Sequence, residues 1–242
     1  MLETPKIGKQ SITSSFGAEL MSRLQIPAVK LKPLTTMLPR IQLGISISGW
    51  SRKWSEFADA ADLIGGQSYP IGYPLSNKIQ GLPNTLVEVN HSFKLASTES
   101  AKHNRPFITN VQAFKWDDRR SPTASEVYNM TYQSLLAGVK GILFFAYDDA
   151  AKNQVRDNPL VWNKLKSLAP EINRLSPILI NGTLTKLDTK NTELLAGQWE
   201  YENRFYLIIV NTSQLKKIST SIRIPIKKSG VNGLVIFKKK TL

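Results

Sequence analysis

Cysteine is absent from this chain of 242 residues. Its absence excludes a disulfide framework, a thiol nucleophile and a cysteine metal site. Histidine is scarce: His91 and His103 are too few and too far apart for a zinc motif, and neither a metal nor another cofactor is expected. No apolar run is long enough for a membrane span. The N-terminal stretch MLETPKIGKQSITSS lacks the apolar core of a secretory signal, so no signal peptide is expected. There is no internal repeat and no low-complexity tract. Acidic residues are outnumbered, 18 against 32 Lys and Arg, giving a net charge of +14. Such an excess attracts polyanions. The lysines are scattered, however, with the densest cluster at Lys238, Lys239 and Lys240. No helix-turn-helix, RNP motif or basic stripe interleaved with aromatics is present, so a dedicated nucleic-acid site is not expected.

With 41% hydrophobic and 21% charged residues, the chain has the composition of one or two folded globular domains. Its most informative stretch is RPFITNVQAFKWDDRRSPTASEVYNMTYQSLLAGVKGILFFAY, residues 105–147. The two apolar runs at 107–114 and 141–147 suit strands buried on both faces. Between them, Thr123 and Glu126 have capping-box spacing, and Pro122 blocks extension of the helix backward. Val127, Met130, Leu135 and Val139 fall near one helical face, and Lys140 with Gly141 closes the helix. Strand, helix, strand of these lengths predicts a βαβ unit with parallel strands. Upstream, 41–48 and 62–69 read as strands, 54–61 as a short helix or turn, and 85–102 as a helix with Leu86, Val89, Phe93 and Ala96 on one face. A loop rich in proline and glycine lies between 70 and 83. Residues 1–38 carry only a short helical piece, near 15–24.

After residue 149, a helix is expected over 158–175, kinked or split at Pro170. Asn181 and Gly182 mark a turn, and the period then changes. A hairpin is expected at 193–211 around Glu202, Asn203 and Arg204. Ile218, Thr220, Ile222, Ile224 and Ile226 alternate as a half-buried antiparallel strand would, and 233–238 reads as a last strand. The chain is thus α/β over 1–180 and a small antiparallel β module over 181–242. Polar and aromatic residues gather just past the C-terminal ends of the parallel strands, the edge where such folds bind ligands.

ADLIGGQSYPIG, RPFITNVQAF, SPTASEVYNMTYQSLLAGVKGILFFAYDD and EINRLSPIL, in this order, resemble the second half of a (β/α)8-barrel glycoside hydrolase. The family meant is the broad clan of β-galactosidase-like and cellulase-like enzymes, in which a small β-sandwich often follows the barrel. The resemblance covers residues 41–210. It implies a partial (β/α)8 (TIM-type) barrel made of strands five to eight. A full barrel takes about 250 residues, so the chain is expected to be a C-terminal fragment or a shortened descendant. Full-length relatives are often secreted.

The resemblance also bears on chemistry. Glycoside hydrolysis uses two carboxyl groups flanking the scissile bond. The clan's acid/base glutamate follows the fourth strand, which has no counterpart here. Its nucleophile ends the seventh strand, where this chain has Gln112, and Gln67 stands where related sequences often carry an acid. Asp117, Asp118, Asp148 and Asp149 are the acids left near the expected mouth. Each is equally readable as a solvated loop residue or as a partner of Arg119 or Arg120. If any pair is catalytic, it is Asp148 and Asp149. Trp50, Tyr69, Gln112, Trp116, Asp117 and Tyr147 are the expected carbohydrate-binding residues, the aromatics for stacking and Gln112 for a sugar hydroxyl. Tyr73 lies at the same edge. The expected function is a glycoside hydrolase-like protein that binds carbohydrate there and, alone, hydrolyses glycosides poorly or not at all. Two alternatives stand beside it: a non-catalytic carbohydrate-binding or structural descendant, and a basic polyanion-binding protein. An open sheet edge would favour self-association.

Overall fold

The structure, a computed structural model, describes residues 44–48, 54–72, 86–116, 119–147, 155–213, 217–225 and 234–237. The expected helix near 15–24 lies outside them. Four strands, β1 (Gly44–Ser48), β2 (Leu63–Ser68), β3 (Phe107–Gln112) and β4 (Gly141–Phe145), form one sheet in the order β1-β2-β3-β4. Every pairing in it is parallel. The short helix α1 (Trp54–Phe57) and a 3-10 turn (Ala58–Ala60) link β1 to β2. Helix α2 (Glu88–Lys102) links β2 to β3, and α3 (Ala124–Ala137) links β3 to β4. The strand–helix alternation read from the sequence is therefore correct. Among the described residues the sheet is open, with β1 and β4 at its edges.

Side chains alternate across this sheet. Ile64, Phe107 and Val111 turn toward α2 and α3 and join Val89, Phe93, Val127 and Met130 in the core. At Gly66 a Cβ would stand 2.9 Å from the Phe107 ring, so only glycine lets that ring lie across β2. The opposite face is partly open, with Ser46 exposed and Leu143 55% exposed.

Helix α3 starts where its capping box puts it: Thr123 Oγ1 accepts from the Glu126 N–H at 3.1 Å, and Glu126 Oε2 accepts from the Thr123 N–H at 2.8 Å. It ends at Gly138, whose φ of +87° closes the last turn. Its burial departs from the amphipathic expectation, because every residue from 127 to 137 is buried, polar ones included. The reason is a second sheet on its other side.

That second sheet has the order β5-β6-β7-β8, from β5 (Thr183–Leu187), β6 (Leu194–Tyr201), β7 (Arg204–Asn211) and β8 (Leu234–Phe237). The hairpin β6–β7 turns through Glu202 and Asn203, both at positive φ, the backbone of a type I′ turn. The module is not wholly antiparallel: β8 pairs with β7 in parallel. A direct hairpin forces antiparallel pairing, whereas the long 212–233 connection allows a crossover. The strand expected at 218–226 is also absent from the described residues 217–225. Ile218, Ile222 and Ile224 are half-buried, as their alternation implied, but they join no ladder.

Helix α4 (Pro159–Asn181) runs through Pro170 and Pro177 as one element, so of the expected kink or split at Pro170 the split does not occur. Both prolines are exposed and seven residues apart, so they share the outer face, opposite buried Val161, Leu165, Leu168, Leu175 and Ile178. There the carbonyls they leave unbonded lie on the solvent side, where water can satisfy them.

Trp199, Ile208 and Val210 of the second sheet sit in the same apolar core as α3 and α4. An amide relay crosses this junction. Gln133 Oε1 accepts from the Asn90 backbone N–H at 3.0 Å, and its Nε2 donates to Leu86 O and Asn129 Oδ1, both at 2.8 Å. Asn129 Nδ2 in turn donates to Asn211 O at 2.7 Å. Replacing Gln133 by leucine strands several buried groups, and we expect a loss of about 3 kcal/mol or more in urea unfolding. Ser134→Ala is the comparison: Ser134 is equally buried, but its hydroxyl bonds only Met130 O one turn back. That loss should stay below about 1 kcal/mol.

Candidate functional site at the strand ends

The parallel register brings the ends of β2, β3 and β4 together. Gln112 pairs with Phe145, and Ser68 pairs with Val111 one step earlier. Beyond Gln112 the chain stays extended enough for Phe114 and Trp116 to share one cluster. Phe114 meets Trp116 with ring centroids 4.9 Å apart, Tyr69 at 5.1 Å and Phe145 at 5.6 Å. Tyr69 also stacks on Phe145 at 5.9 Å and lies 6.3 Å from Trp116. Trp116 Nε1 donates to Tyr69 O at 3.2 Å, which fixes the indole across the end of β2. Tyr69 is buried and Trp116 half-buried, so the indole keeps part of its surface in solvent.

Gln112 is wholly buried. Its Oε1 accepts from the Ile71 N–H at 2.8 Å, and its Nε2 donates to Ile71 O at 2.8 Å and Phe114 O at 3.1 Å. The amide expected to meet a sugar hydroxyl thus holds the turn after β2 instead. That turn needs Gly72, at φ +68°, where a Cβ would press on Arg119 Cβ at 3.0 Å and Arg120 O at 3.1 Å. The loops after β2 and β3 are locked together.

Burial raises the Tyr69 phenol well above the ordinary range, with the nearby Asn110 amide pulling weakly the other way. The Tyr69 oxygen nevertheless makes no hydrogen bond of good geometry. Arg120 clamps Glu126 through two bonds of 2.7 and 2.8 Å. Burial works to raise Glu126, but bonds from Arg120 and Thr123 outweigh it and hold the carboxyl below its usual value.

The structure therefore gathers Tyr69, Gln112 and Trp116. Tyr147 is 54% exposed and packs on Trp162 of α4, ring centroids 5.1 Å apart. Trp50, Tyr73, Asp117, Asp118, Asp148 and Asp149 lie outside the described residues. Phe114 and Phe145 were not among the expected site residues. Period-two spacing could have found Phe114, two residues past Gln112 and two before Trp116. No protein-family model matches this chain, and no curated protein matches it. Among the described residues, no group of three His, Asp or Glu could hold a metal ion, and no helix is long and apolar enough to cross a membrane.

Gln112→Glu tests the amide's role. A carboxylate there would face two carbonyl oxygens and lose both donated bonds. Its folded-state pKa should rise above the unfolded value of about 4.3. The native state then holds a proton that the unfolded state has released, so stability should fall as pH rises through about 4.3. We expect a deficit of about 3 kcal/mol at pH 7, partly recovered at pH 4. A deficit independent of pH would contradict this placement.

Proposed function

We propose that this chain is a glycoside hydrolase-like protein that binds neutral carbohydrate at the C-terminal edge of β2, β3 and β4, on a partial (β/α)8 barrel, without efficient hydrolysis. The observation that carries this reading is the aromatic cluster of Tyr69, Phe114, Trp116 and Phe145 at the ends of three adjacent parallel strands. Its outermost member, Trp116, is held by its ring nitrogen with part of the indole in solvent. A rigid, partly exposed aromatic surface beside polar backbone suits the C–H face of a sugar. The resemblance of the strand motifs points the same way. The amide at position 112 argues against hydrolysis, because a carboxamide neither forms a glycosyl ester at a useful rate nor protonates a leaving group.

Trp116→Ala should weaken neutral oligosaccharide binding, measured calorimetrically, by about tenfold or more. Aryl β-glycosides should show no turnover above background. Turnover that disappears on Asp148→Asn or Asp149→Asn would overturn the non-catalytic reading and place the carboxyl pair after β4. The net charge of +14 favours a second reading, polyanion binding. Heparin retention with a steep salt dependence and no sugar binding would select it.

A further inference from the structure

The sheet face turned away from α2 and α3 is unusual for a parallel sheet. Strands buried on both faces are apolar almost throughout. Here the cross-strand register aligns Ser48, Gln67, Asn110 and Leu143 in one row, and Ser46, Gly65, Ile108 and Gly141 in the row before it. Gln67 Nε2 donates to Ser46 Oγ at 2.9 Å. Ser46 is exposed, Gln67 and Asn110 are half-buried, and Leu143 is 55% exposed. These rows hold no charged residue. Gly65 is buried and Gly141 half-buried, and at Gly141 a Cβ would crowd Ile108 at 2.9 Å. At the C-terminal end the rows run into Tyr69 and Phe145. The Tyr69 hydroxyl there is buried near the Asn110 amide and makes no hydrogen bond of good geometry.

We infer that this face is the hydrogen-bonding floor of the binding site, with Gln67, Asn110 and Ser46 receiving the hydroxyl groups of a neutral sugar whose ring reaches the aromatic cluster at the strand ends. The inference rests on the carbohydrate-binding reading and adds the direction in which the ligand extends. Uncharged amides and hydroxyls pair with both donors and acceptors, as a polyol requires. The lack of charge argues against an anionic ligand, and the polar rows argue against an apolar strand from another chain.

Cellobiose, lactose and N,N′-diacetylchitobiose serve as probes in calorimetric titrations of the full chain. Gln67→Leu and Asn110→Leu remove the polar groups while keeping bulk. Each should weaken binding of the preferred disaccharide by about five- to tenfold, the scale of one or two lost hydrogen bonds. Should a leucine variant fold poorly, Gln67→Ser and Asn110→Ser take its place. Binding that Trp116→Ala weakens but that the Gln67 and Asn110 variants leave intact would overturn the inference and leave the broader reading standing. If the unaltered protein binds none of the three sugars, both fall.

Discussion

Burying α3 on every side is the constraint on which the rest of the structure depends. A helix with Asn129, Thr131, Gln133 and Ser134 inside is stable only if each polar group finds a partner. Thr131 and Ser134 turn back onto their own helix, to Val127 O at 2.8 Å and Met130 O at 2.9 Å. Asn129 and Gln133 instead reach α2 and β7, which makes their satisfaction a condition on where those elements lie. Tyr128 and Tyr132 complete the enclosure by donating to Glu171 of α4, with Tyr128 O–H at 2.8 Å. Burial pushes the Tyr128 phenol up to about 12, so this clasp stays protonated through the neutral range. Apolar contacts supply most of the driving force, and the amides decide which arrangement is allowed.

This arrangement gives the strand ends their shape. Beside the enclosed α3, the register of β3 and β4 places Gln112 beside Phe145. Gln112 then holds Ile71 as a neighbouring strand would, through both its backbone N–H and its carbonyl. The loops after β2 and β3 become a fixed rim, and the aromatic rings pack on it. Residues on strand ends braced from behind are held in place, the preorganisation that the proposed binding of a ligand at this edge would use.

Much of the fold was legible because its signals are local. The Thr123–Glu126 box, the apolar runs at 107–114 and 141–147, and the period change after residue 181 each lie within a few residues of what they specify. What was not legible depends on distant partners. The polar side of α3 looks like a solvent face until β6 and β7, far along the chain, cover it. The sense of β8 depends on how a long connection travels. Pro170 reads as a helix breaker, but its outward position is set by where Leu165 and Leu168 must point. The candidate site was legible in the same proportion. Strand ends located Tyr69, Gln112 and Trp116, but sequence alone could not tell a ligand-facing Gln112 from one bound to Ile71. Nor did it show that Tyr147 turns to Trp162 rather than to the cluster.

If both sheets and α3 form one cooperative unit, native-state hydrogen exchange should reveal it most directly. Amides of α3 from residue 129 to 137 and of β6 and β7 should exchange only through global unfolding, with the same free energy and the same denaturant dependence. Protection in β6 and β7 that is lost at lower denaturant than in α3 and β3 would contradict the account. It would mean that the second sheet separates on its own and that the amide relay does not bind the two halves.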